Sequence, residues 1–134
     1  MKKYLVIGNP IEHSLSPKLH NHWIKENNID AIYDKKLLNE GGIEEIITEV
    51  KNEKIHGINV TVPFKKSVIP FLDQLTPLAK ETQSVNTIYK ENKNGVDVVV
   101  GANTDVGGFK QSLEYINYNV KNKKVFILGA GGVV

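Results

Sequence analysis

Apolar and polar residues alternate through Ile58-Asn59-Val60-Thr61-Val62, the period of a strand with one dry face and one wet face. Pro63 cannot serve a central ladder, so the strand that starts at Ile55 ends at Val62. From Phe64 onward Val68, Ile69 and Leu72 recur three or four apart, which predicts a helix interrupted at Pro70. Upstream, Lys3 to Ile7 reads as a short strand and Gly8-Asn9-Pro10 as the turn out of it. Ser16-Pro17 predicts a helix start, with Ser16 as N-cap and Leu19, Trp23 and Ile24 on the inner face. Asp30 to Leu38 reads as a second strand, and Ile43 to Val50 as an amphipathic helix after Gly41-Gly42. The order is β-α-β-α-β, the signature of parallel pairing with right-handed crossovers.

The second half of the pattern is more broken. Thr76-Pro77 caps a short helical stretch through Leu78 and Ala79. Ser84 to Tyr89 and Val96 to Val100 form a hairpin around a polar turn, Lys90 to Gly95. Thr104 or Asp105 then caps a helix that carries Leu113 and Ile116 inward. Val125-Phe126-Ile127-Leu128 reads as a buried strand, followed by the glycine-rich run Gly129-Ala130-Gly131-Gly132. The fold class is α/β, with a mostly parallel open sheet flanked by helices.

Composition narrows the classes. At 134 residues with 40% apolar content, the chain has the length of one globular domain. Its 17 basic and 15 acidic residues are interspersed, leaving no basic stripe for a nucleic acid. All the basic residues are lysine, so an anionic ligand is held by lysine, hydroxyls or backbone N–H groups, without an arginine fork. The absence of cysteine excludes disulfides and thiolate metal sites. The amino terminus runs straight into a strand, and no apolar run is long enough to span a membrane. The expectation is a soluble cytoplasmic protein. His20 and His22 diverge on their helix, and the four histidines show no metal-ligand spacing.

Candidate chemistry collects at the carboxyl end of the strand ending at Val62, where open α/β sheets bind ligands. Lys65 falls in the first turn of the expected helix, where the macrodipole would lower its pKa toward use as a proton carrier. A solvated surface lysine is the alternative. Ser14 and Ser16 beside a helix start form a candidate anion site; as plain cap and turn residues they would bind nothing. Asp105 reads equally as a helix cap, and Asn86 as a polar residue on the wet side of the hairpin.

Five separated motifs bear on these alternatives together. Ser14-Leu15-Ser16-Pro17, Asn59-Val60-Thr61-Val62-Pro63-Phe64-Lys65, Val85-Asn86-Thr87, Asn103-Thr104-Asp105 with Gly107-Gly108, and Gly129-Ala130-Gly131-Gly132 resemble the shikimate dehydrogenase family, in order and in spacing. The resemblance implies a shikimate-binding domain over 1–104. It implies a connecting helix, first strand and glycine-rich turn of a truncated NADP-binding Rossmann domain over 105–134. Ser14 and Ser16 would hold the substrate carboxylate; Asn59, Thr61, Asn86 and Asp105 would bond the ring hydroxyls. Lys65 and Asp105 would be the proton-transferring pair, and Gly129, Ala130, Gly131 and Gly132 would approach the NADP pyrophosphate.

The implied reaction is reversible reduction of 3-dehydroshikimate to shikimate by NADPH, a step toward aromatic amino acids. Two departures qualify it. Val134 stands where the dinucleotide fingerprint wants a small residue, and a substrate-facing glutamine on a late helix has no counterpart. The resemblance therefore implies an amino-terminal fragment without turnover of its own. A quinate-accepting relative keeps the same fold. A related folate dehydrogenase is disfavoured by the Ser-Leu-Ser-Pro and Asn-Thr-Asp motifs, and a stand-alone binding domain would lack chemistry altogether. An unpaired Val125–Leu128 strand would self-associate, including as a homodimer.

Overall fold

A computed structural model describes residues 1–129 and 131. Its centre is β1 (Lys2–Gly8), flanked by parallel β2 (Ala31–Leu37) and parallel β3 (Gly57–Val60). β3 pairs antiparallel with β5 (Thr87–Lys93), which forms a hairpin with β6 (Val96–Ala102). A two-residue strand, β4 (Gln74–Leu75), lies parallel to β6 and completes the order β2-β1-β3-β5-β6-β4. The α/β expectation holds, with three parallel pairings to two antiparallel. β4 was not legible, because two residues carry no period.

Strand alternation sorts the two faces. Ile7, Ile58, Val60, Ile88 and Val99 point to one side, where α2 (Ile43–Lys51) seats Ile43, Ile46, Ile47 and Val50 on them. Val6 and Tyr33 point to the other, with Ile11 and the edge of α1 (Ser16–Glu26). The two crossover helices thus cover opposite faces, and the order β2-β1-β3 makes the carboxyl ends of β1 and β3 a topological switch point.

Several expectations are corrected. Ser16 is the first residue of α1 and does not cap it; the Ser14 hydroxyl instead accepts the Ser16 N–H at 3.3 Å. Leu19 and Trp23 are half exposed, and α1 turns Pro17, His20, Asn21 and Ile24 inward. Asn21 decides that rotation: its amide receives the Tyr33 N–H at 2.9 Å and donates to the Tyr33 carbonyl at 2.7 Å. These are the outward groups of an edge strand, which otherwise stand unpaired.

No α-helix follows Pro63. Residues 64–68 are a run of turns, and a 3-10 turn covers Ile69–Phe71. Pro70 can donate no backbone bond, and burial of Phe64 and Val68 holds the segment without a continuous ladder. The helix-dipole argument for Lys65 falls with it.

Thr76 caps α3 (Pro77–Thr82) as expected, accepting the Ala79 N–H at 3.4 Å. The hairpin strand begins at Thr87 and runs on to Lys93, leaving Ser84 to Asn86 outside it. Its extension is held by Asp97, which takes Lys90 at 2.9 Å and Asn92 at 2.7 Å. The turn shrinks to Asn94-Gly95, with φ of 53° and 84°, the pair that matches the twist of the strands.

α4 (Asp105–Tyr115) buries no residue, and Ile116 beyond it is 64% exposed, so the expected inward face is absent among the described residues. Val125 to Leu128 forms no strand and is exposed throughout, because no described strand lies beside it to satisfy its backbone.

Candidate active site

The chain leaves β3 at Val60 and bends sharply through Thr61 and Val62. Thr61 donates its N–H to Ile7 at 3.0 Å, and Asn9 donates back to Val62 at 3.0 Å, so the ends of β1 and β3 stay locked. The approach is tight enough to need glycine: a Cβ on Gly8 would meet the Thr61 methyl at 2.6 Å. Asn9-Pro10 and Val62-Pro63 are both cis.

Beside this junction lies a cleft of about 230 Å³ lined by Val6, Pro10, Ile11, His13, Ser14, Ser16 and Thr61. Three hydroxyls face it without an arginine. The loop carrying the serines is anchored by Ser14 N–H on the Ile11 carbonyl at 3.1 Å and by Lys35 on the Glu12 carbonyl. The Glu12 carboxyl is held below its ordinary value by its own amide and that of Ile11, with His13 and Lys35 adding smaller favourable charge.

Past Pro63, Lys65 is 8% exposed, and its ammonium donates to Asp105 Oδ2 at 2.6 Å. Backbone and side chain are both fixed: Val85 N–H binds the Lys65 carbonyl at 2.8 Å. The other Asp105 oxygen accepts from the Asn86 amide at 2.9 Å. Asn86 also bonds Thr104 twice, through its hydroxyl at 2.8 Å and its N–H at 3.0 Å. Expected residues 40 positions apart in sequence thus form a three-part cluster, Lys65-Asp105-Asn86. A mostly buried ammonium held on a carboxylate at this distance is fixed in direction, and an amine so placed can give a proton to an oxygen and take one back.

Asn59 is differently placed. Its carbonyl accepts from the Tyr33 hydroxyl at 2.7 Å, and its NH2 reaches the Asn86 carbonyl and Thr87 hydroxyl, each at 3.3 Å. Burial pushes the Tyr33 phenol up to about 12, against a smaller opposing pull from the Ser16 hydroxyl. His20 stacks on the Tyr33 ring at 4.1 Å and 4°, and burial lowers its pKa. Tyr33 and the charged pair are therefore joined by one hydrogen-bonded path of side chains, Tyr33-Asn59-Thr87-Asn86-Asp105-Lys65.

Tyr33, Asn103 and Thr104 were not singled out as site residues from the sequence. For Tyr33 a signal existed: a tyrosine on the buried face of a strand needs a partner for its hydroxyl. Of the glycine-rich run, Gly129 has φ of 117° and Gly131 stands in open space, while Ala130 and Gly132 lie outside the described residues. With no strand before the run, the described residues form no cradle for a dinucleotide. Among them, no cluster of three His, Cys, Asp or Glu side chains could hold a metal ion, and no helix is long and apolar enough to cross a membrane.

Comparison with known proteins places this geometry. Residues 6–88 match the family model of the shikimate dehydrogenase substrate binding domain. A shikimate dehydrogenase (NADP(+)) of Pelagibacter ubique is 60% identical over 133 residues, covering 99% of this chain and 49% of the relative. One from Bacillus cereus is 42% identical over 96% of this chain and 46% of its own length. Among solved structures, shikimate dehydrogenase 1 of Peptoclostridium difficile superposes with a TM-score of 0.89 at 32% identity, over 99% of this chain and 48% of that one. The enzyme of Aquifex aeolicus gives 0.87 at 42% identity, over 98% and 48%. The chain spans about half the length of the curated relatives it matches. The match over 6–88, together with the cleft and the Lys65-Asp105 pair, leads to one conclusion: the chain belongs to the shikimate dehydrogenase family, of which it carries the substrate-binding domain.

Proposed function

We propose that this chain is the substrate-binding half of an NADP-dependent shikimate dehydrogenase, acting in the reversible reduction of 3-dehydroshikimate to shikimate. The observation that carries the reading is the Lys65-Asp105 pair at 2.6 Å beside a cleft of hydroxyls. Relatives support the ligands: the Thermus thermophilus enzyme is a complex with shikimate, and another family member a complex with NADP+. Residues 1–104 are the substrate domain in this reading, and 105–134 lead toward the nucleotide-binding part.

Ser14 and Ser16 receive the substrate carboxylate with neutral donors, in keeping with a chain that has no arginine. Thr61, Asn86 and Asp105 take the ring hydroxyls. Asn59, whose amide is engaged by Tyr33, Asn86 and Thr87, supports them from behind. Bound NADPH would supply the hydride; the chain's own part is the proton. Lys65 gives one to the ketone oxygen during reduction and takes it from the hydroxyl in reverse, while Asp105 keeps the amine aimed.

The test is an NMR titration of the chain with shikimate and, separately, quinate. Shifts centred on Ser14, Ser16, Thr61, Asn86 and Asp105 support the reading. A folded chain unmoved by millimolar shikimate argues against a preformed half-site. In a chain completed with a cofactor-binding half, Lys65→Ala should cut kcat far more than it raises KM, since it removes proton transfer. For the segment Val125 to Leu128, whose side chains are each at least 67% exposed, we infer self-association. Light scattering that stays monomeric as concentration rises would refute this.

A further inference from the structure

We propose that Asn103 is the positioning residue of the Lys65-Asp105 pair, holding Asp105 in place through the backbone at the start of α4. This rests on reading Lys65 and Asp105 as the reacting pair. Asn103 is 9% exposed, with its amide fully engaged. Its carbonyl accepts the Asp105 N–H at 2.9 Å and the Val106 N–H at 3.3 Å. Its NH2 donates to the Ser84 carbonyl at 3.0 Å and lies 3.4 Å from the Thr82 hydroxyl.

The arrangement matters because Asn103 takes the first helical N–H groups of α4, Asp105 and Val106, while Asn86 holds Thr104 before them and the Asp105 carboxylate. The helix buries no residue, so packing does not locate its first turn. Thr104, which stands at the cap position, makes no side-chain cap bond. Asn103 does that work one residue earlier, taking two N–H groups that a helix start leaves free. Its other end is tied to Ser84, in the same short segment whose Val85 N–H grips the Lys65 carbonyl at 2.8 Å. Segment 84–86 therefore carries Lys65 on its backbone and Asp105 through Asn103 and Asn86. The two halves of the pair share one mount.

Asn103 touches neither reacting atom, so its loss should move Asp105 without unfolding the sheet. The experiment uses this chain without ligand, so a failure to bind shikimate leaves it decisive. Amide exchange in the unsubstituted chain comes first. Asp105 and Val106 should be protected, although first-turn amides of an exposed helix ordinarily exchange freely; exchange at unstructured rates overturns the proposal. Next, the NOE between Lys65 Hε and Asp105 Hβ protons is compared in the parent chain, Asn103→Ala and Asn103→Ser. The expected result is loss of the cross-peak in Asn103→Ala, with the Val85 amide still protected, and its return in Asn103→Ser, whose hydroxyl again caps the helix.

A cross-peak undiminished in Asn103→Ala overturns the proposal, as does one lost equally in Ala and Ser variants that both remain folded. If Asn103→Ala does not fold, Asn103→Leu, of similar size and without an acceptor, takes its place under the same criteria. If neither folds, the amide exchange of the parent chain alone decides.

Discussion

At the scale of single residues, the site is set by close approaches and saturated polar groups. Gly8→Ala should push Thr61 off the cleft wall, because its Cβ would stand 2.6 Å from the Thr61 methyl and 3.1 Å from the Val62 carbonyl. The expected result is shikimate affinity down about tenfold, the equivalent of ~1.4 kcal/mol, measured by NMR or calorimetric titration. Tyr33 makes a pH prediction. Its folded pKa of about 12 lies above the ordinary 10.0, so the neutral phenol's contribution to stability is complete below pH ~10. It is lost as pH rises from there through about 12. A 295 nm titration should show one phenol ionising near 12, missing in Tyr33→Phe. His20 works in the opposite direction. Burial lowers its pKa, so below pH ~6.5 an unfolded chain takes the proton first and acid costs stability. His20→Phe should flatten that slope in urea melts between pH 7 and 5. Sequence reasoning reached Lys65, Asp105, Asn86 and the serines as types in motifs. It missed Tyr33 and Asn103; a partner for the Tyr33 hydroxyl and a cap by Asn103 could have been sought, but their anchors on Asn59 and Ser84 lie 26 and 19 residues away.

Elements were legible where period and turn chemistry agreed, as in α2 with Ile43, Ile46, Ile47 and Val50 on one face. They were misread where a tertiary partner overrode the period. The spacing of Val68, Ile69 and Leu72 is helical, yet two prolines and the burial of Phe64 leave only turns. Leu19 and Trp23 are the more apolar face of α1, but the Asn21 clamp on the edge of β2 turns them outward. Asn21→Ala should therefore cost about 1–3 kcal/mol in denaturant unfolding, since it strips partners from two backbone groups. Asn21→Asp would restore only the acceptor half. Replacing Trp23 by a polar residue, on the exposed side of the same helix, should change stability by no more than about 0.5 kcal/mol.

Across the whole molecule, the path from Tyr33 through Asn59, Thr87, Asn86 and Asp105 to Lys65 crosses β2, β3, the start of β5 and the start of α4. Losses along such a path are not independent. Tyr33→Phe and Asn86→Ala together should differ from the sum of the single changes by roughly 0.5–3 kcal/mol in shikimate binding, read from a double-mutant cycle. Strict additivity would show two separate subsites. No sequence window contains this path, because its long links span 26, 28, 19 and 40 positions between Tyr33 and Lys65. The motifs named its members; only the sheet order made them neighbours. The unburied α4 adds a mechanical consequence. Fastened at its first residue and burying no side chain against the described residues, it is a lever about 16 Å long with its fulcrum at Asp105. A swing of ~10° carries the far end through roughly 3 Å, while a group on the axis of rotation barely travels. Whatever pulls on the far end of that helix, the carboxylate beside Lys65 occupies the one place on it that stays still.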